Sequence, residues 1–305
     1  MPANRLAIFA ALTLVASSAF GQLSPSATWA ITAPNRYQVH SNLTYLTTGN
    51  YESKLDVFRR RDKPGPHPTL IYIHGGGWTA GAKDDSLMHT MPWLEMGWQM
   101  VNVEYRLARV APAPAAVEDC LCALRWIVAH AAQYRIDPNR LVVTGDSAGG
   151  HLALTTGMIP SSTGLDGPCH SDAPLPKVAA IINWYGITDI ADILDGKNKK
   201  GYAVEWLNKT PDRDAVARAV SPLTYVRPGL PPIFTIHGDA DPTVPYSHAV
   251  RLQEALAKAE VPNQFITVPG GGHGQFPAEE RLRIYSAIRD FLTKHGLPTY
   301  NETQP

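Results

Sequence analysis

The apolar run Leu141-Val142-Val143-Thr144 leads straight into GDSAGGH, Gly145 to His151, and a helix-forming segment continues to Met158. A Gly-x-Ser-x-Gly between a strand and a helix is a nucleophile elbow. Ser147 must take a sharp, strained turn so that its hydroxyl stands clear of the sheet. Gly145 and Gly149 are needed because a side chain at either place would strike the neighbouring strand or helix. Such a turn demands a buried parallel strand before it and a helix after it, so the rest of the chain should alternate strand and helix.

It does. Thr69 to Ile73 is a short apolar run that ends in HGGGW, His74 to Trp78. Met100 to Leu107, Val178 to Trp184, Ile233 to His237 and Phe265 to Val268 read as further buried strands. Asn42 to Leu46 and Lys54 to Arg60 alternate as an antiparallel pair at a sheet edge. Helices are expected over Ala113 to Ala132, Tyr246 to Glu260 and Pro277 to His295. The last carries an apolar stripe of Leu282, Tyr285, Ile288 and Leu292 and stops at Gly296. The expected fold is α/β, with about eight mostly parallel strands and helices on both faces. Residues 22–40 read as an arm laid over the domain. Residues 159–177 read as an exposed loop, and 185–232 as a small cap insert within a single domain, 22–305.

Arg5, the apolar stretch Leu6 to Ala16 and Ala19-Phe20-Gly21 have the pattern of a secretory signal over residues 1–21. The expectation is a secreted or periplasmic protein with no membrane span once the signal is removed; an uncleaved anchor is the alternative. The formal net charge of zero, without a basic or acidic block, argues against a nucleic-acid partner. Cys120 and Cys122 lie two apart on an expected helix and point away from each other. Either one pairs with Cys169, leaving an odd thiol, or all stay free. No Cys/His cluster has metal-ligand spacing, so no metal is expected.

Acyl transfer needs a nucleophile, a base, a residue that orients the base and donors for an oxyanion. Each can be assigned at the carboxyl end of an expected strand. Ser147 is the nucleophile. His273 stands among glycines in the loop after the last strand, with little local packing to explain it, and is the base. Asp239 and Asp241 both follow the preceding strand; Asp241 is preferred because Asp239 sits where it would stabilise the turn, and Asp189 is a poorer third choice. Gly76, Gly77 and Ala148 supply backbone N–H groups for the oxyanion. Trp78 and Tyr185 are candidate substrate-binding aromatics, with Trp206 and Phe276 nearby. His74 should brace the triple-glycine loop, and His237 should simply pack.

With HGGGW at 74–78, GDSAGGHLA at 145–153, HGDADPTVPY at 237–246 and GGGHG at 270–274, the chain resembles the hormone-sensitive-lipase-like and acetyl-xylan/feruloyl esterase-like (BD-FAE-like) branch of the α/β-hydrolases. The resemblance implies an α/β-hydrolase fold, a cofactor-free carboxylic-ester hydrolase and a triad acid at Asp241. It also implies small-molecule or polysaccharide-linked esters as substrates, acetyl or feruloyl esters of plant polysaccharide among them. The same triad serves amide hydrolysis. A non-catalytic ligand-binding protein on this scaffold is a third reading, one that usually goes with a missing triad member; none is missing here.

Overall fold

In the computed structural model, residues 24–171, 173–297 and 299–300 are described; the signal expected over 1–21 lies outside them. Eight strands form one sheet: β1 (Tyr37–Thr48), β2 (Tyr51–Arg60), β3 (His67–Ile73), β4 (Gln99–Val103), β5 (Ile136–Asp146), β6 (Ala180–Trp184), β7 (Ile233–Gly238) and β8 (Asn263–Val268). Their spatial order is β1-β2-β4-β3-β5-β6-β7-β8. β1 and β2 pair antiparallel, β2 joins β4 antiparallel, and every later pairing is parallel. Every residue of β3, β4, β6 and β7 is buried. This is why these strands read as continuous apolar runs: a parallel strand with helices over both faces has no side facing water.

The helices are α1 (Pro25–Arg36), α2 (Met91–Glu95), α3 (Ala115–Ala129), α4 (Ala131–Tyr134), α5 (Ala148–Met158), α6 (Gly201–Leu207), α7 (Arg213–Ala219), α8 (Ser247–Lys258) and α9 (Ala278–Lys294). One core holds Leu121 and Leu124 of α3, Leu152 of α5 and Leu252 of α8 against Ile71, Val143 and Ile181. The other holds Trp29 of α1, Trp93 of α2 and Ile288 of α9 against Leu70, Val142 and Phe234. No helix among the described residues is long and apolar enough to cross a membrane.

Two expectations need correction. In the arm expected at 22–40, the described residues from 24 on form the helix α1 followed by the start of β1. The Ser24 side chain accepts from Ala27 N–H, Pro25 opens the first turn and Trp29 is buried. The first two are ordinary helix-start chemistry, hidden in sequence by the shortage of periodic apolar positions. In α9 the inward line is Ile284, Ile288, Phe291 and Leu292, whereas Leu282 is 73% exposed. Both stripes satisfy helical spacing; the sheet beneath α9 selects one.

The loop over 159–177 is tied to α3 by a Cys122–Cys169 disulfide and by an Arg125–Asp166 ion pair, and Cys120 stays free and buried. The 185–232 segment folds into α6, α7 and short 3₁₀ turns. It sinks Ile190, Leu194, Trp206 and Val220 into the first core. It also reaches the loops at the strand ends, where Tyr202 Oη donates to Thr243 O (3.2 Å) and Lys200 Nζ to Pro242 O (2.8 Å).

Candidate active site

β5 ends at Asp146, and Ser147 takes φ 56°, ψ −119° as the first step into α5. This backbone region is costly for a non-glycine residue and needs enforcement from around it. The enforcement is visible. Ser147 N–H donates to Trp184 O at the end of β6 (2.9 Å). A β-carbon on Gly145 would stand 2.4 Å from both Ile73 O and Gly149 O, and one on Gly149 would stand 2.1 Å from Ile73 O. The elbow therefore presses onto β3 with no room for a methyl group.

β3 runs into the triple-glycine loop. Gly76 has φ +112°, and a β-carbon there would meet Ala80 O at 2.0 Å. The Gly76 carbonyl accepts from Thr79 N–H (3.1 Å) and Ala80 N–H (3.0 Å), which turns the peptide N–H groups of the loop the other way. His74 holds the loop from behind. It stacks on Tyr105 at 4.3 Å and lies between Gly75 O (2.7 Å) and the Glu104 carboxylate (3.1 Å). Among the described hydrogen bonds, none uses the N–H of Gly76, Gly77 or Ala148. Those three remain available to an oxyanion.

The candidate acid and base come from the loops after β7 and β8. His273 Nδ1 lies 2.7 Å from Asp241 Oδ2. Asp241 Oδ1 accepts from Thr243 N–H (2.7 Å) and Val244 N–H (3.0 Å), and its side chain has no exposure. Burial by itself would raise the Asp241 pKa. Hydrogen bonds from His237, His273 and Val244 outweigh it and hold the carboxyl well below the usual carboxylate range. Asp241 is thus an ionised, immobilised acceptor that keeps the His273 proton on Nδ1 and leaves Nε2 as the basic nitrogen. Asp239 instead accepts from Gly270 N–H (2.6 Å) and Asp189 pairs with Arg251 (2.6 Å), so neither competes for the acid role. Among the described residues no hydrogen bond joins Ser147 Oγ to His273. In unliganded sites this bond is commonly long and tightens with substrate.

Tyr185 belongs to this cluster. It follows β6 with φ 40°, and its ring lies 4.7 Å from His273 in a T-shaped contact. Phe276 packs edge-on against it at 5.9 Å. Trp78 does not belong. It is fully buried, stacked on Trp206 at 4.2 Å, and its indole N–H donates to His151 Nδ1 (3.2 Å). A wide, flat side chain after a glycine loop found more apolar area beneath the loop than above it. Trp78 is therefore a brace for the loop and not a substrate contact.

Three contributors had no clear signal in the sequence. His237 approaches Asp241. Tyr202 lies against Gly77, whose added β-carbon would be 2.9 Å from Tyr202 Cβ. Arg281 grips the base loop by donating to Gly274 O (2.7 Å) and Phe276 O (3.3 Å). Only His237 lies in a motif that pointed to the site.

The BD-FAE family model matches residues 55–256, from β2 to α8. The chain belongs to the BD-FAE family. Of curated relatives, Esterase LipQ of Mycobacterium tuberculosis is 29% identical over 269 residues, which is 84% of this chain and 63% of that protein. Probable carboxylic ester hydrolase LipM of the same organism is 32% identical over 213 residues, 67% of this chain and 49% of that protein. The chain thus spans about half to under two thirds of the length of these relatives. Among solved structures, the propionate-bound esterase Est2 of Thermogutta terrifontis superposes with a TM-score of 0.72 at 26% identity, covering 87% of this chain and 96% of that one. A truncated carbohydrate esterase from gut microbiota gives 0.70 at 26% identity, covering 85% and 96%. With the strand order above, this BD-FAE member has the α/β-hydrolase fold.

Proposed function

We propose that this BD-FAE member is a serine carboxylic-ester hydrolase that works through an acyl-enzyme. The observation that carries the reading is the His273–Asp241 pair, with the acid fully held, in the loops beside the Ser147 elbow. His273 Nε2 takes the proton of Ser147 Oγ as the oxygen attacks the ester carbonyl. Gly76, Gly77 and Ala148 N–H groups receive the oxyanion. The C–O bond to the alcohol breaks, and the alcohol leaves with the proton from His273. Water then attacks the acyl-serine, again with His273 as base, and the acid departs as Ser147 regains its proton.

The substrate reading is a short acyl ester, acetyl or feruloyl, carried on plant polysaccharide. Its supports are the family itself, a structural relative described as a carbohydrate esterase, and the bound propionate of another. The Cys122–Cys169 disulfide fits an oxidising compartment, and so favours the exported protein that a polymer substrate requires.

Initial rates on nitrophenyl acetate, butyrate and octanoate, a matched anilide, methyl ferulate and acetylated xylan test this, with Ser147→Ala as blank. The expected result is ester turnover strongest at short acyl length, release of acetate or ferulate, and a loss on the order of a millionfold in the blank. A Ser147→Ala protein that keeps most of its activity overturns the mechanism. Faster anilide than ester turnover overturns the reaction class, and turnover confined to the nitrophenyl esters overturns the substrate.

A further inference from the structure

We propose that His237 is a positioning residue for the base: its Nε2–H reaches Asp241 Oδ2, the oxygen that also receives His273 Nδ1–H, and sets both the orientation of the carboxylate and the strength of its grip on His273. The proposal rests on the Ser147–His273–Asp241 reading above.

His237 lies in β7 and is 0% exposed. Its Nε2 is 3.1 Å from Val244 O and 3.3 Å from Asp241 Oδ2. A carbonyl oxygen only accepts, so Nε2 carries the proton and shares it between two acceptors, Asp241 being the longer branch. The other nitrogen, Nδ1, is buried and has no partner. A buried, unpaired ring nitrogen costs desolvation energy that a leucine of similar bulk would not. What the imidazole brings to this place is the Nε2 donor. The carboxylate accepts from Thr243 and Val244 N–H on Oδ1 and from His273 Nδ1–H on Oδ2, and His237 Nε2–H stands 3.3 Å from Oδ2 as its fourth N–H neighbour.

The surroundings leave this role to His237. From α8 side, Tyr246 packs its ring 5.8 Å from His237. After β6, Tyr185 packs against His273, and from α6, Tyr202 lies near Asp241. Burial pushes both phenols well above the ordinary tyrosine range, so both are neutral. Lys200 and Arg281 reach these loops through backbone carbonyls, at Pro242 and Gly274. Among the described residues, His237 is the only side chain besides His273 that donates toward Asp241.

A carboxylate that accepts fewer hydrogen bonds binds its remaining proton donor more strongly. In His237→Leu, Asp241 should hold protonated His273 more tightly and with a looser orientation. The acid limb of kcat/KM against pH, and the His273 titration midpoint read by NMR, should move up by about half a unit to one unit. The kcat should fall about tenfold, the order of effect of a small misplacement of a catalytic group. His237→Gln can put an amide N–H where Nε2 stood and should restore both; His237→Asn, whose amide is too short to reach, should behave like the leucine variant. Unmoved midpoints in the folded leucine and asparagine variants overturn the proposal, as does a glutamine variant as perturbed as they are. The NMR midpoint needs no turnover, so it decides the role of His237 even if the wild-type protein cleaves no ester.

Discussion

Replacing Gly76 by alanine tests the oxyanion loop, and its effect can be worked out from the coordinates. The added β-carbon would lie 2.0 Å from Ala80 O, whereas ordinary contact begins at 3.4 Å. The obstacle is backbone and cannot swing away as a side-chain tip would. At φ +112° the residue also sits where alanine is strained regardless of space. The loop must therefore shift by roughly 1 Å or more, enough to take at least one N–H out of line, and displacements of that size cost about a hundredfold. Losing one oxyanion donor costs about 10²- to 10³-fold in kcat, or about 2.7–4 kcal/mol of transition-state stabilisation. The loss should fall on kcat and leave KM within a few fold, because the negative oxygen exists only in the transition state. Steady-state kinetics on nitrophenyl acetate, with thermal unfolding to show that the fold survives, is the assay. Gly77→Ala is the graded comparison: its φ of +61° also strains alanine, but its β-carbon would stand 2.9 Å from Tyr202 Cβ rather than 2.0 Å from a backbone oxygen, so its kcat should fall less. A Gly76→Ala enzyme with kcat within tenfold of wild type, or a loss carried entirely by KM, would refute the reasoning.

Two further outcomes are expected. His151 is fully buried between Trp78 and Val220, and burial, only partly offset by its bond to Val220 O, lowers its pKa from 6.5 to about 4. The unfolded chain therefore binds a proton here that the folded one refuses between those values, so stability falls as pH drops through that window, by about 3 kcal/mol in all. Urea titrations at pH 7.5, 6, 5 and 4 should show a shallower decline in His151→Phe, and an equally steep one would contradict the assignment. The Cys122–Cys169 bond spans 47 residues, so Cys122→Ser should lose up to about 4 kcal/mol by loop-closure entropy. Thiol counts under denaturing conditions should read one before reduction and three after. Because the bond ties α3 to a remote loop, specific activity at 25 °C should stay within about twofold, and a larger loss in still-folded protein would place that loop in the site.

How much of this was legible depends on how local each signal is. Strand-to-glycine junctions announce themselves, because a parallel strand buried on both faces must be apolar and a backbone that approaches another backbone must be glycine. The candidates Ser147 and His273 and the pair Asp239 and Asp241 are found at such junctions, whereas the edge pair is read from its alternation. Asp239 and Asp241 stand two residues apart and look alike in composition; the direction each side chain takes after β7 separates them, one toward Gly270 and one toward His273.

The sequence by itself determined the chain order of the eight strands and the elbow between β5 and α5, since these rest on periodicity and on steric demands within a few residues. The tertiary structure alone decided which of two equally periodic stripes α9 turns inward, that Trp78 lies beneath its loop on Trp206, which cysteine meets Cys169, and that His237 lies beside Asp241. Each of those is a contact between segments far apart in the chain or a choice between neighbouring directions. Their energies depend on distance and burial, which a linear pattern does not carry.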